Sequence, residues 1–478
     1  MPEAPDQADA GTTPDELVAM MQSQLDNGEM LAWAHKAAVN YLRSVDHRPV
    51  APTNGDVAAL TGLGGPLPQT VGNPADVLDA LDRLGSPATT GQASGRFFGL
   101  VNGGVLPVTL AARVLADAWD QNAAIHAVSP IASTLEDVCE GWLRSLFGLP
   151  TETVAGFVSG SSMATVCGLA AARWRLCRRL GCDVNLDGIT GAPRLRIVTS
   201  RHAHSTIIKA VTLLGFGTAA IEWVDVDEEG RLITDALPQL DDRTIVALQA
   251  GNVNSGSFDP IYDVCERARG TGAWVHVDGA FGLWAAACSE LAHHASGLEL
   301  ADSWSVDAHK TLNTPYDSGI VLCADPDALV AALQNSAPYL PASSGGRDGS
   351  THTPELSRRT RAVEIWAALR YLGRDGVDAL VLHLHRRAQQ FADGFRAAGF
   401  DVVNDVVFNQ VMVEVGDTDG TDAFAEQVRA SGVAWVAPSR WFDKAVVRVS
   451  VCSWRTTPAD VERTIKAFVA ARDISSPH

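Results

Sequence analysis

Short apolar runs alternate with helical stretches through the middle of this 478-residue chain. Apolar runs of four to eight residues predict buried strands, and apolar positions spaced three or four apart predict helices. Seven strands are predicted in this way, at 154–158, 195–199, 221–224, 244–248, 273–277, 303–306 and 319–323. Because strands separated by helices form largely parallel sheets covered on both faces, the pattern predicts an α/β fold. Ligands of such sheets lie at the carboxyl ends of strands.

The two flanks differ from this central pattern. Helical spacing of apolar residues predicts helices before the sheet, at 14–45 (one or two helices), 75–84, 109–124 and 134–146. A Ser- and Gly-rich loop at 337–354 follows the sheet. The remaining elements are predicted helices at 358–372, 379–398, 422–431 and 458–472 and short strands at 411–415 and 446–451. We therefore expect an N-terminal helical segment (1–92), a large domain (93–335), and a loop with a small α+β domain (336–478).

Composition narrows the class of protein. The formal net charge of −19 argues against binding to nucleic acids or anionic membranes. No apolar run is long enough to span a bilayer, and the acidic, Pro-containing residues 1–15 lack the pattern of a signal peptide. The 8 cysteines are scattered without a Cys-x-x-Cys pair, which is typical of free thiols in a reducing compartment. We therefore predict a cytoplasmic protein.

Two predicted strands lead into side chains that carry chemistry. Lys310 follows the strand at 303–306 and comes directly after His309, and its amine can form an imine with an aldehyde. Asp278 ends the apolar strand at 273–277, where a carboxylate either caps a helix or pairs with a cation. Each residue alone has an ordinary alternative, since most lysines are solvated surface residues.

Two strand-to-helix turns add further candidates. Ser161 and Ser162 follow Gly160 where a helix is predicted to begin, and N–H groups at a helix start bind anions. Simple N-capping by serine is the alternative. His204 lies in another such turn, where its imidazole either stacks on a cofactor ring or caps the helix. An amine, a carboxylate and an anion site together are the equipment of an enzyme that uses pyridoxal 5′-phosphate (PLP).

In this order, the Gly-Ser-Ser turn, His204, Asp278 and the His309-Lys310 pair resemble the group II PLP-dependent amino-acid decarboxylases. This family includes aromatic-L-amino-acid, histidine, glutamate and cysteine-sulfinate decarboxylases. The resemblance extends from about residue 31 to the end of the chain and is strongest over 129–319. It implies a PLP-dependent transferase of fold type I, with a seven-stranded, mostly parallel sheet. It also implies a carboxy-lyase that works as a homodimer with active sites at the interface.

The resemblance also implies a role for each matching residue. Lys310 is expected to form the Schiff base with PLP, Asp278 to pair with the pyridine nitrogen, and His204 to stack on the ring. Further cofactor contacts are expected from Ser161, Ser162, Asn252, Ala280 and His309. Substrate contacts are expected from Phe97, Phe98 and His126.

The loop at 337–354 departs from the family. Animal and plant aromatic decarboxylases protonate Cα with a tyrosine on a mobile loop of the partner subunit. Here Tyr339 stands at the start of the loop and His352 near its end, with no tyrosine between them. Tyr339 or His352 is therefore the proton donor, or another acid serves, or the outcome is not simple decarboxylation. Loss of that tyrosine is associated in the family with oxidative deamination to an aldehyde.

Substrate choice has a weaker sequence signal. An acidic side chain needs an arginine in the pocket, and no motif places there any of Arg347, Arg358, Arg440 and Arg455. Phe97, Phe98 and Trp441 favour an aromatic or apolar L-amino acid, although such residues are more often core. Two alternatives stay open. One is an aldehyde-forming oxidative deaminase, aminotransferase or Cα–Cβ lyase on the same scaffold, and the other is a catalytically silent PLP-fold scaffold subunit.

Overall fold

The structure, a computed structural model, describes residues 12–334, 345–416 and 418–475. Its helices are α1 (Pro14–Asn27), α2 (Glu29–Ser44), α3 (Asn54–Ala59), α4 (Pro74–Ala80), α5 (Ser86–Ala88), α6 (Pro107–Trp119), α7 (Pro130–Phe147), α8 (Ser161–Arg179), α9 (Ser205–Leu213), α10 (Ile261–Ala268), α11 (Pro326–Leu333), α12 (Ala362–Ala397), α13 (Thr418–Ala430) and α14 (Pro458–Ser475). Its strands are β1 (Val154–Val158), β2 (Arg196–Ser200), β3 (Ile221–Val224), β4 (Thr244–Gln249), β5 (Trp274–Asp278), β6 (Ser303–Asp307), β7 (Gly319–Cys323), β8 (Asp401–Val402), β9 (Gln410–Glu414), β10 (Ala437–Trp441) and β11 (Lys444–Ser450).

Within the described ranges, seven strands form one sheet in the order β1-β7-β6-β5-β4-β2-β3. β7 is antiparallel to both of its neighbours, and the other neighbouring strands are parallel. The predicted α/β fold of type I, with a seven-stranded, mostly parallel sheet, is confirmed. Because β1, β2, β4, β5 and β6 run in one direction, their carboxyl ends share the edge of the sheet where ligands bind.

The predicted bounds of these seven strands hold to within one residue. β4, β5 and β6 each end one residue later than predicted, so that Gln249, Asp278 and Asp307 belong to the strands. Gln249 pairs with Asp278, and Asp307 pairs with Gly319 on β7. Ladder pairing therefore fixes the backbone beneath these polar side chains.

Two apolar cores cover opposite faces of this sheet. Along β4, Val246 and Leu248 point into one core, whereas Ile245 and Ala247 point into the other, as the two-residue period of a strand requires. Residues of α7 and the first half of α12 complete the first core. Residues of α8, α9 and α11 complete the second. The sheet is thus buried on both faces, which leaves its carboxyl edge as the accessible place for chemistry.

The C-terminal part of the chain forms a separate α+β layer. β8 to β11 make an antiparallel four-stranded sheet in the order β10-β11-β9-β8. Its apolar core combines strand residues such as Val447 and Val449 with Phe391 and Phe395 of α12 and Phe468 of α14. The predicted small α+β unit is confirmed, and the structure adds β8 and β10, which the sequence pattern did not indicate. The domain limits at residues 92 and 335 stay predictions.

Several predicted helix limits need correction. α6 ends at Trp119, not at residue 124, because Asp120 adopts a left-handed conformation (φ 47°) that stops the helix. Helices predicted at 358–372 and 379–398 meet without an intervening loop in α12, whose backbone breaks only at Gly373 (φ 62°). Gly28, also left-handed (φ 63°), separates α1 from α2. In the described ranges, no helix is long and apolar enough to cross a membrane.

Candidate active site

Polar side chains follow four parallel strands at the carboxyl edge of the large sheet. Ser161 begins α8 after β1, and His204 follows β2. Asp278 ends β5, and Lys310 comes three residues after β6. Since these strand ends share one edge, residues far apart in sequence converge there.

A cavity of about 400 Å³ lies at this edge. Lys310, Asp278, His204 and Ala280 line it, so the structure brings together four of the residues predicted to contact the cofactor. The other lining residues fall into two groups. The apolar ones are Leu100, Val101, Val253 and Phe281, and the polar or small ones are Asn102, Gln249, Gly251, Asn254, Ser439 and Arg448.

Asp278 is held in place by three donors. Its Oδ1 accepts hydrogen bonds from the N–H of Ala280 (3.1 Å) and the hydroxyl of Ser305 (3.4 Å). Its Oδ2 accepts from the hydroxyl of Thr206 (3.3 Å). The side chain is buried yet borders the cavity, so a fixed carboxylate faces whatever the cavity binds.

His204 caps the start of α9, which is one of the two roles predicted for it. It also lines the cavity. Its Nδ1 lies 3.0 Å from the hydroxyl of Thr206, the residue that donates to Asp278. Burial lowers the pKa of His204, which favours the neutral imidazole. A neutral ring is suited to stacking on an aromatic cofactor.

Lys310 is the amine of the cavity. Its Nζ lies 2.9 Å from Oδ2 of Asp307, and its side chain is partly exposed. Gly103 packs on the Lys310 backbone so closely that an added Cβ would lie 2.0 Å from the Lys310 carbonyl oxygen. A glycine is therefore required where the 100–104 segment crosses the lysine loop.

The anion cradle forms where α8 begins. The Ser161 side chain is buried and Ser162 is exposed in the first turn of α8, and the N–H of Ser161 donates to Oδ1 of Asp307 (2.5 Å). His309 lies beside this turn, and its Nδ1 accepts a hydrogen bond from the N–H of Ser318 (3.0 Å). Gly319 lets β7 approach, since an added Cβ would lie 2.3 Å from the Gly160 Cα. The positive end of the α8 dipole and a neighbouring imidazole suit this turn to an anion such as phosphate.

Asn252 lies in the turn after β4 but is not among the residues that line the cavity. Its Oδ1 accepts the N–H groups of Asn254 (2.9 Å) and Ser255 (3.3 Å), and its Nδ2 donates to the carbonyl of His202 (3.4 Å). The side chain therefore shapes the turn that presents Val253 and Asn254 to the cavity.

Phe97 and Phe98 are buried away from the cavity within this chain. Phe97 stacks on Trp435 with ring centroids 4.9 Å apart. Phe98 packs against Phe391 in the core of the small sheet. Both anchor the segment whose next residues, Leu100 and Val101, do line the cavity.

His126 and His352 also lie outside the cavity lining of this chain. His126 contacts the hydroxyl of Ser133 (3.0 Å) and lies against Gly346. His352 contacts the hydroxyl of Thr351 (2.8 Å), and its backbone packs on Gly156 of β1. Burial, with the Arg347 charge, lowers the pKa of His352 to about 3, so its imidazole is neutral at neutral pH. Tyr339 lies outside the described residues.

Arg448 is a cavity residue that sequence reasoning missed. It lies on β11 between Val447 and Val449, and because those valines enter the small core, strand alternation turns Arg448 the other way, toward the cavity. Its guanidinium donates to the carbonyls of Val253 (2.7 Å) and Leu100 (3.2 Å). Nε is buried without a hydrogen-bond partner, and burial lowers the pKa of Arg448 to about 10. The sequence did carry one signal for Arg448, namely a charged residue inside the mostly apolar run at 446–451.

Other arginines considered for an acidic substrate are engaged elsewhere. Arg358 pairs with buried Glu136 (2.6 Å), and Arg347 pairs with Glu140 (2.5 Å). Arg455 pairs with Asp46. Arg440 is exposed on β10, and none of these four lines the cavity. Trp441 contacts His202 and Phe442 and is buried outside the cavity lining.

Comparisons with known proteins agree with this geometry. Residues 69–415 match the family model described as the pyridoxal-dependent decarboxylase conserved domain. Tryptophan decarboxylase 1 of Oryza sativa subsp. japonica is 30% identical over 378 residues, covering 73% of each chain. L-2,4-diaminobutyrate decarboxylase of Rhizobium meliloti is 29% identical over 395 residues, covering 77% of this chain and 76% of that one. The crystal structure of Oryza sativa TDC with PLP and tryptamine superposes with a TM-score of 0.87 at 24% identity, covering 94% of this chain and 98% of that one.

The site thus has the donor set of a PLP enzyme, and the chain belongs to the pyridoxal-dependent decarboxylase family. It is a PLP-dependent amino-acid decarboxylase, which decides against a catalytically silent scaffold. The residues present fit the cofactor. An amine, a buried carboxylate and an imidazole line one cavity. The start of α8 lies beside its lysine, because Asp307 contacts both Nζ of Lys310 and the N–H of Ser161. In the mechanism, PLP supplies an electron sink for the electrons left at Cα, and the protein positions and binds.

Proposed function

We propose that this decarboxylase releases carbon dioxide from an aromatic or apolar L-amino acid and forms the corresponding amine. The cavity lining carries the proposal, because it joins Lys310 and Arg448 to an apolar wall. Among the described residues that line the cavity, Asp278 is the one carboxylate, and it is assigned to the cofactor. A substrate with a second ammonium group, such as 2,4-diaminobutyrate, would therefore find no separate carboxylate there.

In this proposal the residues divide into cofactor and substrate contacts. Lys310 attaches the cofactor, Asp278 holds a proton on the pyridine nitrogen, and His204 stacks on the ring. Ser161, Ser162 and His309 hold the phosphate at the start of α8. Asn252 and Ala280 support this arrangement from the turns after β4 and β5. The contacts of Asp278 with Ala280, Ser305 and Thr206 support its assignment, since they fix the carboxylate before anything binds.

Arg448 is proposed to bind the carboxylate of the substrate. Its charge is buried at the cavity wall, and Nε lacks a partner, so an anion in the cavity would complete its hydrogen bonding. Ser439 donates to Oδ1 of Asn254 (2.8 Å) next to the guanidinium and holds that part of the wall. The contact would orient the bond between Cα and the carboxylate before it breaks.

Arg448→Gln is expected to raise KM by about tenfold or more, since a hydrogen bond to a charged group contributes roughly 1.5–3 kcal/mol. Because the carboxylate loses its charge as carbon dioxide leaves, KM should change more than kcat. Steady-state kinetics of both parameters would measure this. Arg440→Gln, on exposed β10, is the matched control and should leave both unchanged. Unaltered KM in Arg448→Gln would refute the carboxylate contact.

The reaction type and the substrate class have one common test. Purified, PLP-loaded enzyme would receive a mixture of L-amino acids, and mass spectrometry would identify the products. An aromatic or apolar amine with carbon dioxide supports the proposal. A diamine would refute the proposed substrate class. An aldehyde would favour the oxidative alternative, in which the loop at 337–354 lacks a central tyrosine. A keto acid or a cleaved side chain would favour the aminotransferase or lyase alternatives.

In this proposal the proton donor is Tyr339, His352 or another acid. A neutral imidazole with a pKa of about 3 has no proton to give at neutral pH, so His352 could act only after its surroundings changed. Phe97, Phe98 and His126 remain proposed substrate contacts. Because they lie outside the cavity lining of this chain, they would act by placing neighbouring residues or by contacting the substrate in the site of a partner subunit.

We further propose that the active enzyme is a homodimer. Helices α1 and α2 bury no residue against the described chain, and their apolar side chains Val18, Leu25 and Leu31 are 60%, 68% and 65% exposed. Such helices are stable when another surface covers their apolar side. Light scattering should give a mass of about twice the 50.6 kDa chain. Leu25→Asp with Leu31→Asp should yield monomers, whereas Leu186→Asp, at an 83% exposed loop position, should not. A wild-type mass of one chain would refute the dimer.

A reducing compartment is also proposed, because all 8 cysteines are free thiols. The cytoplasm is the proposed location.

A further inference from the structure

Asp307 holds together the donor groups that the proposed function assigns to the cofactor. Its Oδ1 accepts the N–H of Ser161 at 2.5 Å. Its Oδ2 lies 2.9 Å from Nζ of Lys310 and 3.6 Å from Nε2 of His309. One carboxylate therefore contacts the first amide of the phosphate cradle, the reactive amine and the cradle histidine.

The carboxylate is buried and ionised. The Asp307 side chain is 2% exposed. Burial acts to raise the pKa of Asp307, but the charges of Lys310 and His309 and the hydrogen bonds of Lys310 and Ser161 outweigh it and lower the pKa. A negative charge thus stands inside a site that must also accept a phosphate.

The groups around Asp307 determine which nitrogen of His309 carries the proton that faces the carboxylate. Because Nδ1 of His309 accepts the N–H of Ser318, the ring proton lies on Nε2, which faces Asp307. The ring of Tyr316 lies 4.3 Å from that of His309, and burial raises the pKa of Tyr316, so its phenol stays neutral. Nζ of Lys310 and Nε2 of His309 are accordingly the two nitrogens that face Asp307.

The negative charge of Asp307 has two opposing effects, one on the lysine nitrogen and one on the phosphate. A carboxylate 2.9 Å from Nζ attracts a positively charged nitrogen and places it beside the cradle. The same charge disfavours a phosphate nearby, because like charges repel in a buried site. A residue that only supported the fold would not attract the lysine nitrogen and at the same time weaken phosphate binding.

We propose that Asp307 is a positioning residue that holds the Lys310 nitrogen beside the phosphate cradle with its negative charge, at the expense of phosphate affinity. The proposal rests on the assignment of Lys310 and Ser161 to the cofactor. It adds that the strand end after Val306 sets both the place of the lysine nitrogen and the strength of phosphate binding.

Asp307→Asn tests the proposal, because asparagine keeps the shape and can still accept the Ser161 N–H. Pyridoxine 5′-phosphate, which has no aldehyde and cannot react with a lysine, is the probe for the cradle. Its affinity, measured by calorimetry, should increase about threefold to tenfold in the variant. In the PLP-loaded variant, the pH at which the visible absorbance of the bound cofactor titrates should fall by about one unit or more.

Asp302→Asn is the matched control. Asp302 precedes β6 and accepts the N–H of Val275 (2.7 Å), and it is half-buried without contacting Lys310. Both readouts should stay at wild-type values in this control. Asp307→Ser provides a second neutral variant if the asparagine protein does not fold, and the same two shifts are expected.

Unchanged or weakened pyridoxine 5′-phosphate binding, or an unmoved absorbance titration, would overturn the proposal. Neither readout requires an amino-acid substrate. A wrong substrate assignment would therefore leave both shifts intact. If Asp307 does not have this role, the wild-type enzyme should still turn over substrate. Asp307→Asn and Asp302→Asn should then give the same phosphate affinity and the same absorbance titration.

Discussion

Lys310→Ala is expected to remove the visible absorbance of the bound cofactor and to lower turnover by more than about a hundredfold. Lys310 lines the cavity together with Asp278 and His204, and its Nζ lies 2.9 Å from the Asp307 carboxylate. No other amine is positioned there among the described residues that line the cavity. Without it, the cofactor would be held only by its phosphate and ring contacts.

Borohydride reduction followed by peptide mapping is the direct measurement. In the wild-type protein the reduced cofactor should be found on the peptide that contains Lys310, and in the variant on no peptide. Lys444→Ala is the control, since Lys444 is exposed on β11 and pairs with Glu414 (2.8 Å). A reduced adduct on another lysine of the Lys310→Ala protein would contradict the assignment.

Local signals predicted the parts of the site that lie at strand ends. Lys310, Asp278, His204 and Ser161 each follow or end a short apolar run, and parallel strands bring such positions to one edge. The fold class followed from the same alternation of strands and helices. These features depend on periodicity, which is visible within about ten residues of sequence.

Residues placed by tertiary contacts were harder to predict. Arg448 reaches the cavity only because β11 packs beside the turn that carries Val253, far away in sequence. Thr206 becomes important because it bridges His204 and Asp278, which the sequence separates by α9, β3, β4 and α10. Phe98 illustrates the opposite case, since an aromatic residue next to the cavity wall fills the small core. Hydrophobicity alone does not distinguish a core position from a pocket position.

Asp278→Asn is expected to reduce kcat by about a hundredfold or more while the protein still takes up PLP. Asparagine keeps the side-chain shape and can accept the Ala280 N–H, so the fold around β5 should persist. It removes the negative charge that would hold a proton on the pyridine nitrogen. Since the protonated ring is the better electron sink, bond breaking should slow more than substrate binding weakens.

PLP methylated on its pyridine nitrogen makes this prediction specific, because that cofactor carries a permanent positive charge. It should restore much of the lost kcat in Asp278→Asn and add nothing to the wild-type enzyme. A merely structural role for Asp278, through its contacts with Ser305 and Thr206, would predict no such rescue. Kinetics with both cofactors therefore separate charge from shape at this carboxylate. Equal activity of the variant with either cofactor would show that Asp278 does not act on the ring nitrogen.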